Sequence, residues 1–415
     1  MKIGSLLNLG VTFESLRHRD FRFLFATSFL SASARNLQTI SLGWLTYDLT
    51  GSGILLGTVI FIYQIPFFIF TIPLGVLTDR VNRKTLLMYS QFSMALVAIA
   101  LAIDIALGTV EPWHLMVFAL ISGIENTLIH IVRVVLVPRV VPPESLFNAI
   151  TVNAMGYFVS RVTAPAIGGF LILFIGVAGN FGIQALLLIA VAFSTMPLRV
   201  GRALQDEKTD FTYSGSLVSH TKRSISFIFS NPLIRILFIF QYTISFFALP
   251  SFFNFMPIWS TDILKGDAGI LGVLYGSIAV GSIIGTLAMA RSGKTTFHGL
   301  WLIILAILLP IVLILFSQIP SFYVSLSLLV LIGGIQIGFQ TITLTRIQTS
   351  VPDSLQGTVI SLYNLEAGAL AFGTLLMGFI VEYSGIQAAF VIMNFPLLFI
   401  ALVVLVVPSP IKKMR

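Results

Sequence analysis

No cysteine occurs anywhere in the chain, which removes disulfides, thiolate-bound zinc and thiol redox chemistry from consideration. Charge is nearly as scarce. Only 10% of the residues are Asp, Glu, Lys or Arg, against about 25% in a soluble domain, too few to cover a water-facing surface. Also lacking are a phosphate-cradling glycine loop, a metal-ligand cluster and a Ser/His/Asp set facing one compartment. An ATP-driven pump is therefore not expected, nor is a cofactor, a metal or an enzymatic activity. What fills the chain is apolar: 57% of its 415 residues are hydrophobic and mean hydropathy is +0.99. Runs of about 18 residues or more, each long enough to cross a bilayer as a helix, recur from end to end. They lack the period-two alternation of an outer-membrane barrel. The expected class is an all-α polytopic membrane protein.

Twelve spans are expected, at 21–47, 54–77, 86–107, 113–136, 147–175 and 181–197, then 233–259, 269–290, 300–316, 323–345, 359–383 and 388–407. The polar stretch between the two sets defines the domains: a first six-helix bundle over 1–198, a linker over 199–230, and a second bundle over 231–415. The first apolar run follows a charged stretch, Phe13 to Asp20, and is too long for the core of a cleavable signal.

The net charge of +8 sits almost entirely on one side of these spans, so it indicates membrane orientation rather than nucleic acid. Arg17, Arg19, Arg22, Arg80, Arg83, Lys84, Arg139, Arg199, Arg202, Lys208, Lys222, Arg223, Arg291, Lys294, Arg346, Lys412, Lys413 and Arg415 share that side. The opposite loops hold Asp48, Glu111, Asp262, Asp267 and Glu382, with Lys265 alone as a cation. By the positive-inside rule both termini are cytoplasmic.

The halves also resemble each other. Val141-Pro142-Pro143-Glu144-Ser145-Leu146 matches Val351-Pro352-Asp353-Ser354-Leu355, Leu56-Gly57 matches Leu271-Gly272, and Gly169-Phe170 with Gly176 matches Gly378-Phe379 with Gly385. The copies run in the same orientation at an offset near ~210 residues, a parallel duplication suited to two bundles rocking about a central site. The linker mixes Lys222 and Arg223 with Leu217, Val218, Ile225, Phe227 and Ile228. An amphipathic helix at the cytoplasmic interface and a loosely ordered connector both fit it.

The loop after the second span reads Gly75-Val76-Leu77-Thr78-Asp79-Arg80-Val81-Asn82-Arg83-Lys84-Thr85-Leu86-Leu87. It resembles the loop signature of the major facilitator superfamily, with Thr78 and Asn82 where that family usually has Ala and Gly. The resemblance implies a fold of two six-helix bundles and a cytoplasmic gate built from Gly75, Asp79, Arg80, Arg83 and Lys84. Gly75 would let helices approach closely, Asp79 would cap the next helix, and Arg133 near the inner end of span four is its expected partner. The second-half copy, Ala288-Met289-Ala290-Arg291-Ser292-Gly293-Lys294, lacks the acid. Phe13 to Arg22, Gly43 to Ser52, and Arg161-Val162-Thr163-Ala164-Pro165-Ala166-Ile167-Gly168-Gly169 are similar to the enterobactin-exporter and drug-efflux branch of the superfamily. Ala164 stands where a Gly usually precedes the Pro of the span-five motif.

A charge at mid-bilayer costs on the order of 3 kcal/mol on insertion scales, so each one is a functional candidate. Arg35, Glu125 and Arg161 fall halfway along spans one, four and five, and Glu366 lies inside span eleven. The resemblance places spans one, four, seven and ten around the cavity. One reading makes Glu125 a proton-exchanging group set by Arg35 or Arg161; another makes these a static ion pair; a third gives an Arg to an anionic substrate. Gln38 lies one turn past Arg35, and Asn126, His130 and Arg133 share a helical face. Gln241 and Tyr242 in span seven, with Gln336 and Gln340 in span ten, add neutral polar groups suited to an amphipathic ligand. Pro250, Pro257 and Gly333-Gly334 are candidate hinges.

The expected function is secondary active transport by alternating access in the cytoplasmic membrane. The substrate is a small amphipathic molecule (a siderophore, a drug or a lipid-like metabolite), exported in exchange for protons. Partners would be the substrate, protons and the bilayer, with the protein working as a monomer. An importer or uniporter of the same fold is the alternative, and a membrane enzyme or transport-like receptor a more distant one.

Overall fold

The computed structural model describes residues 14–136, 140–197, 217–291 and 298–406, and among them there is no strand. In chain order the first helices are α1 Arg19–Thr50, α2 Gly53–Arg80, α3 Arg83–Leu107 and α4 Pro112–Leu136. The segment Leu146–Thr195 breaks at Gly176 into α5 (146–175) and α6 (177–195). A shorter helix, α7 Leu217–Ser230, precedes α8, which starts as Pro232–Thr243 and runs on to Ile263. Then come α9 Ala268–Arg291, α10 His298–Gln318 and α11 Phe322–Ser350. The last two are α12 (Asp353–Asn364, resuming at Glu366) and α13 (386–406), which part at Gly385.

Among the described residues nine segments are long and apolar enough to span a bilayer, two of which are the broken pairs α5–α6 and α12–α13. The first helix, α1, is as long but carries Arg35, Asn36 and Gln38 in mid-course. All twelve expected spans are thus helical. The duplication shows at the two breaks. Gly176 (φ 71°, ψ 173°) and Gly385 (φ 77°, ψ 163°) take nearly the same left-handed turn, where an L side chain would be strained.

Local chemistry sets the other ends. Asn82 caps α3, its side chain accepting from the Lys84 and Thr85 amides at 3.1 and 3.2 Å. That corrects the expectation for Asp79. A cap residue must stand next to the helix in extended conformation, as Asn82 does (φ −63°, ψ 111°), whereas Asp79 is still inside α2. Gly108 closes α3 in the left-handed region. Asn231 caps α8, with Pro232 at its first position.

The chain forms two compact units, Met1–Leu42 with Ile69–Phe211, and Gly43–Phe68 with Thr212–Arg415. In the first, Phe21, Leu24, Leu87, Ile129, Val132, Leu136, Val141, Ala149 and Val152 bury a core where α1, α3, α4 and α5 meet. In the second, Trp259 of α8 packs on Phe316 of α10 (ring centroids 4.4 Å apart) and Phe390 of α13 (5.9 Å). The indole N–H of Trp259 donates to Ser325 of α11 at 3.3 Å.

The expected hinge at Gly333-Gly334 is not a break: α11 is continuous through it. Those glycines seat α11 against Gly281 and Gly285 of α9, where a Cβ on Gly281 or Gly333 would fall inside the contact shell of a facing carbonyl. Around Pro250 and Pro257, by contrast, α8 opens into three π-helical stretches, Ile244–Ala248, Pro250–Asn254 and Trp259–Ile263. The Phe255 amide reaches back to Pro250 O at 3.2 Å and that of Leu264 to Trp259 O at 3.1 Å. Such wide turns insert residues and rotate the faces beyond them, and they recur at functional sites.

Candidate functional site

The first unit gathers its polar groups on α1, α3 and α4. Glu125 and Asn126 are consecutive on α4 and therefore turn about 100° apart. Glu125 Oε1 accepts from Gln91 Nε2 of α3 at 3.0 Å, and Asn126 Oδ1 accepts from Arg35 Nη1 of α1 at 2.5 Å. Gln91 is fully buried, and its own carbonyl oxygen has no hydrogen-bond partner. Arg161 is half-buried on α5, next to Ser160, whose hydroxyl bonds Ser33 of α1 at 3.0 Å. His130, one turn past Asn126, is exposed.

Gln38, expected beside Arg35, is only 4% exposed and is committed to α6, accepting from Gln184 Nε2 at 2.7 Å. One turn on, Asn180 of α6 donates to Ser41 Oγ. The second unit repeats this bond between its own matching helices, where Asn394 of α13 donates to Ser251 Oγ of α8 at 3.3 Å.

The second unit has a carboxylate of its own. Leu365 interrupts α12, and Glu366 opens the helix that follows. Its Oε2 accepts from Ser245 Oγ at 2.6 Å and from Gln241 Nε2, both on α8. Gln241 is 3% exposed, and its carbonyl oxygen, like that of Gln91, finds no partner. Tyr242 OH donates to Leu362 O at 2.7 Å, tying α8 to α12 just before the interruption. Tyr363 is buried with an unpartnered hydroxyl. Gln336 and Gln340 are half-buried on α11, and Gln340 keeps a buried carbonyl oxygen without a partner.

Of the expected gate, the side chains of Asp79, Arg80, Arg83 and Arg133 lie outside the described ones. Lys84 Nζ donates to the Met196 carbonyl, completing the C-terminal end of α6. Gly75 makes no close approach among the described residues, where a Cβ built on it meets nothing within 4 Å. Sequence reasoning missed Gln91, Ser245, Asn180 and Gln184. Ser245 stands four residues past Gln241, and Gln184 four past Asn180, each pair on one helical face, a signal the sequence carried.

A bundle of about twelve apolar helices with half-buried carboxylates gripped by neutral amides is the build of a membrane transporter. Among the described residues no group of three or more His, Asp or Glu side chains is placed to hold a metal. The model of the transmembrane secretion effector family matches residues 11–414, and the chain belongs to that family of the major facilitator superfamily. It is 22% identical over 388 residues to the staphyloferrin A transporter of Staphylococcus aureus, covering 92% of this chain and 94% of that one. It is 23% identical over 412 residues to the enterobactin exporter of Shigella boydii, covering 99% and 96%. Among solved structures, a D-xylose–proton symporter superposes with a TM-score of 0.73 at 13% identity, covering 96% of this chain and 99% of that one.

Proposed function

We propose that the protein exports a small amphipathic molecule across the cytoplasmic membrane in exchange for protons. Its two six-helix halves, 1–198 and 231–415, would alternate access as a monomer with both termini inside. The similarity to the enterobactin exporter over 99% of this chain supports the direction. Proton exchange rests on the two carboxylates. Glu125 and Glu366 are each bonded by a glutamine amide whose carbonyl oxygen is buried and unpartnered. A carboxamide serves both states of a carboxyl group. Its N–H donates to the ionised form, and its C=O accepts from the protonated form. A group held this way keeps one hydrogen bond to the same amide in either charge state, as a cycling proton site requires.

The test compares metabolites inside and outside cells carrying the intact protein, none, Glu125→Gln or Glu366→Gln at matched expression. Export predicts a compound retained in the null and variant cells and missing from their medium. Transport of that compound in vesicles would then follow an imposed pH gradient in the intact protein and ignore it in the variants. Variants that export and couple normally overturn the proton role. A compound depleted from inside the null cells overturns the direction.

A further inference from the structure

We infer that α7 is a docking surface for anionic phospholipid, anchoring the inner end of α8 to the bilayer. The rotation of α7 about its axis is fixed by burial. Ser224 (0% exposed) and Ile228 (6%), one turn apart, face the body of the second unit, where α7 packs on α8 and α12. The opposite side is exposed, and it is not uniformly polar. Ile225 (40% exposed) and Phe229 (64%) stand one turn apart along one edge. Lys222 sits beside them, and Arg223, Ser226 and Ser230 form the other edge, all exposed. At 100° per residue this is an apolar stripe bordered on its solvent side by Lys222, with Arg223 about 120° round the helix from Phe229.

Two large apolar side chains left in water would forfeit the gain of burial. The bilayer is the nearest apolar phase, because α7 joins a membrane span directly. Asn231 caps α8 immediately after Ser230, and Arg235 Nη1 donates to Phe229 O at 3.3 Å. Such a pattern seats a helix in the interface plane, with lysine and arginine reading the negative charge of the headgroups. The anchored segment matters because α8 goes on to carry Gln241 and Ser245, the groups that hold Glu366. The inference rests on the cytoplasmic placement proposed above for the choice of leaflet alone.

The chain has no cysteine, so a dye on a Ser226→Cys variant reports α7 uniquely. The full-length variant is reconstituted in phosphatidylcholine vesicles containing phosphatidylglycerol, with a spin-labelled headgroup on one lipid or the other. Quenching by labelled phosphatidylglycerol is expected to exceed quenching by labelled phosphatidylcholine at equal content. Adding Lys222→Gln or Arg223→Gln should each cut that preference by about fivefold. Phe229→Asn should weaken both signals, with circular dichroism and elution unchanged. Equal quenching by both headgroups overturns the anionic preference. A dye shielded from iodide yet unquenched by either lipid overturns docking to lipid and points to a segment of protein covering the stripe. Labelling of the same cysteine in whole cells reports its side of the membrane separately, so a wrong orientation is not confused with failure to dock.

Discussion

Glu382 holds the first turn of α2 through Ser52: its carboxylate accepts from Ser52 Oγ at 2.9 Å and from the Ile54 amide at 3.2 Å. The Ile54 amide is thus met from α12, whereas those of Leu55 and Leu56 are met by Ser52, through its Oγ at 3.3 Å and its O at 3.1 Å. Directly beneath this cap, a Cβ on Gly57 would lie 2.9 Å from Thr374 O and 3.1 Å from the Gly378 Cα, so the two backbones touch. On the same side of the unit, Tyr47 OH donates to Asp262 Oδ2 at 2.6 Å.

Replacing Glu382 with Gln keeps an accepting oxygen but removes the charge that favours a helix N-terminus, while Glu382→Leu removes both. The expected losses are about 0.5 and 1–2 kcal/mol respectively. Hydrogen–deuterium exchange of the α2 amides from Ile54 to Leu56 should therefore accelerate modestly in the first variant and about fivefold or more in the second. Unchanged protection in Glu382→Leu would mean that α2 is held by its glycine seam alone.

The glycines divide sharply by what surrounds them. A methyl group at Gly281 would be driven against the Val330 carbonyl, and one at Gly333 against that of Ile278. Gly281→Ala and Gly333→Ala should each lose about 1–3 kcal/mol, seen as lower thermal midpoints of the purified protein in detergent. Gly75→Ala meets nothing within 4 Å and sits inside a helix, so it should gain about 0.5–1 kcal/mol. A large loss at Gly75 would show that another conformation brings a helix against it.

These particulars mark what the sequence disclosed. The spans followed from length and hydropathy, and the duplication located Gly176 and Gly385, which share one backbone conformation. Glu125 and Glu366 stood out because a carboxylate in an apolar run is costly enough to require a reason. Gln91 did not, since an uncharged amide is a far smaller anomaly there and its partner lies on another helix. The wide turns of α8 were hidden for a related reason. A hydrogen bond reaching five residues back rather than four depends on packing, and only Pro250 and Pro257 hinted at trouble. The signature loop drew attention to Asp79, whose charge is conspicuous, while the cap came from Asn82.

That cap gives a local test. Asn82→Ala removes the acceptor for the Lys84 and Thr85 amides and should cost about 1 kcal/mol, whereas Asn82→Asp should hold or improve the helix start. Limited proteolysis at the α2–α3 turn is the readout, faster for Ala and no faster for Asp. Equal rates in all three forms would show that Asn82 is not what fixes this turn.

The amide grip makes the strongest demand. In Gln91→Leu, Glu125 loses the donor that Gln91 Nε2 supplies at 3.0 Å, and in Gln241→Leu, Glu366 keeps only Ser245 of its two described donors. A hydrogen bond to a charged group is worth about 1.5–3 kcal/mol. Leucine removes both the N–H that serves the ionised carboxylate and the C=O that would accept from its protonated form, so both states of the carboxyl lose their partner. Transport of the identified substrate, measured against pH in vesicles, should therefore show its rising limb displaced from that of the intact protein in Gln91→Leu. The displacement should be smaller in Gln241→Leu, where Ser245 remains, and should grow when Ser245→Ala is added. A merely structural glutamine would lower the rate at every pH and leave the limb in place, and that outcome in both variants would remove the amides from the proton path.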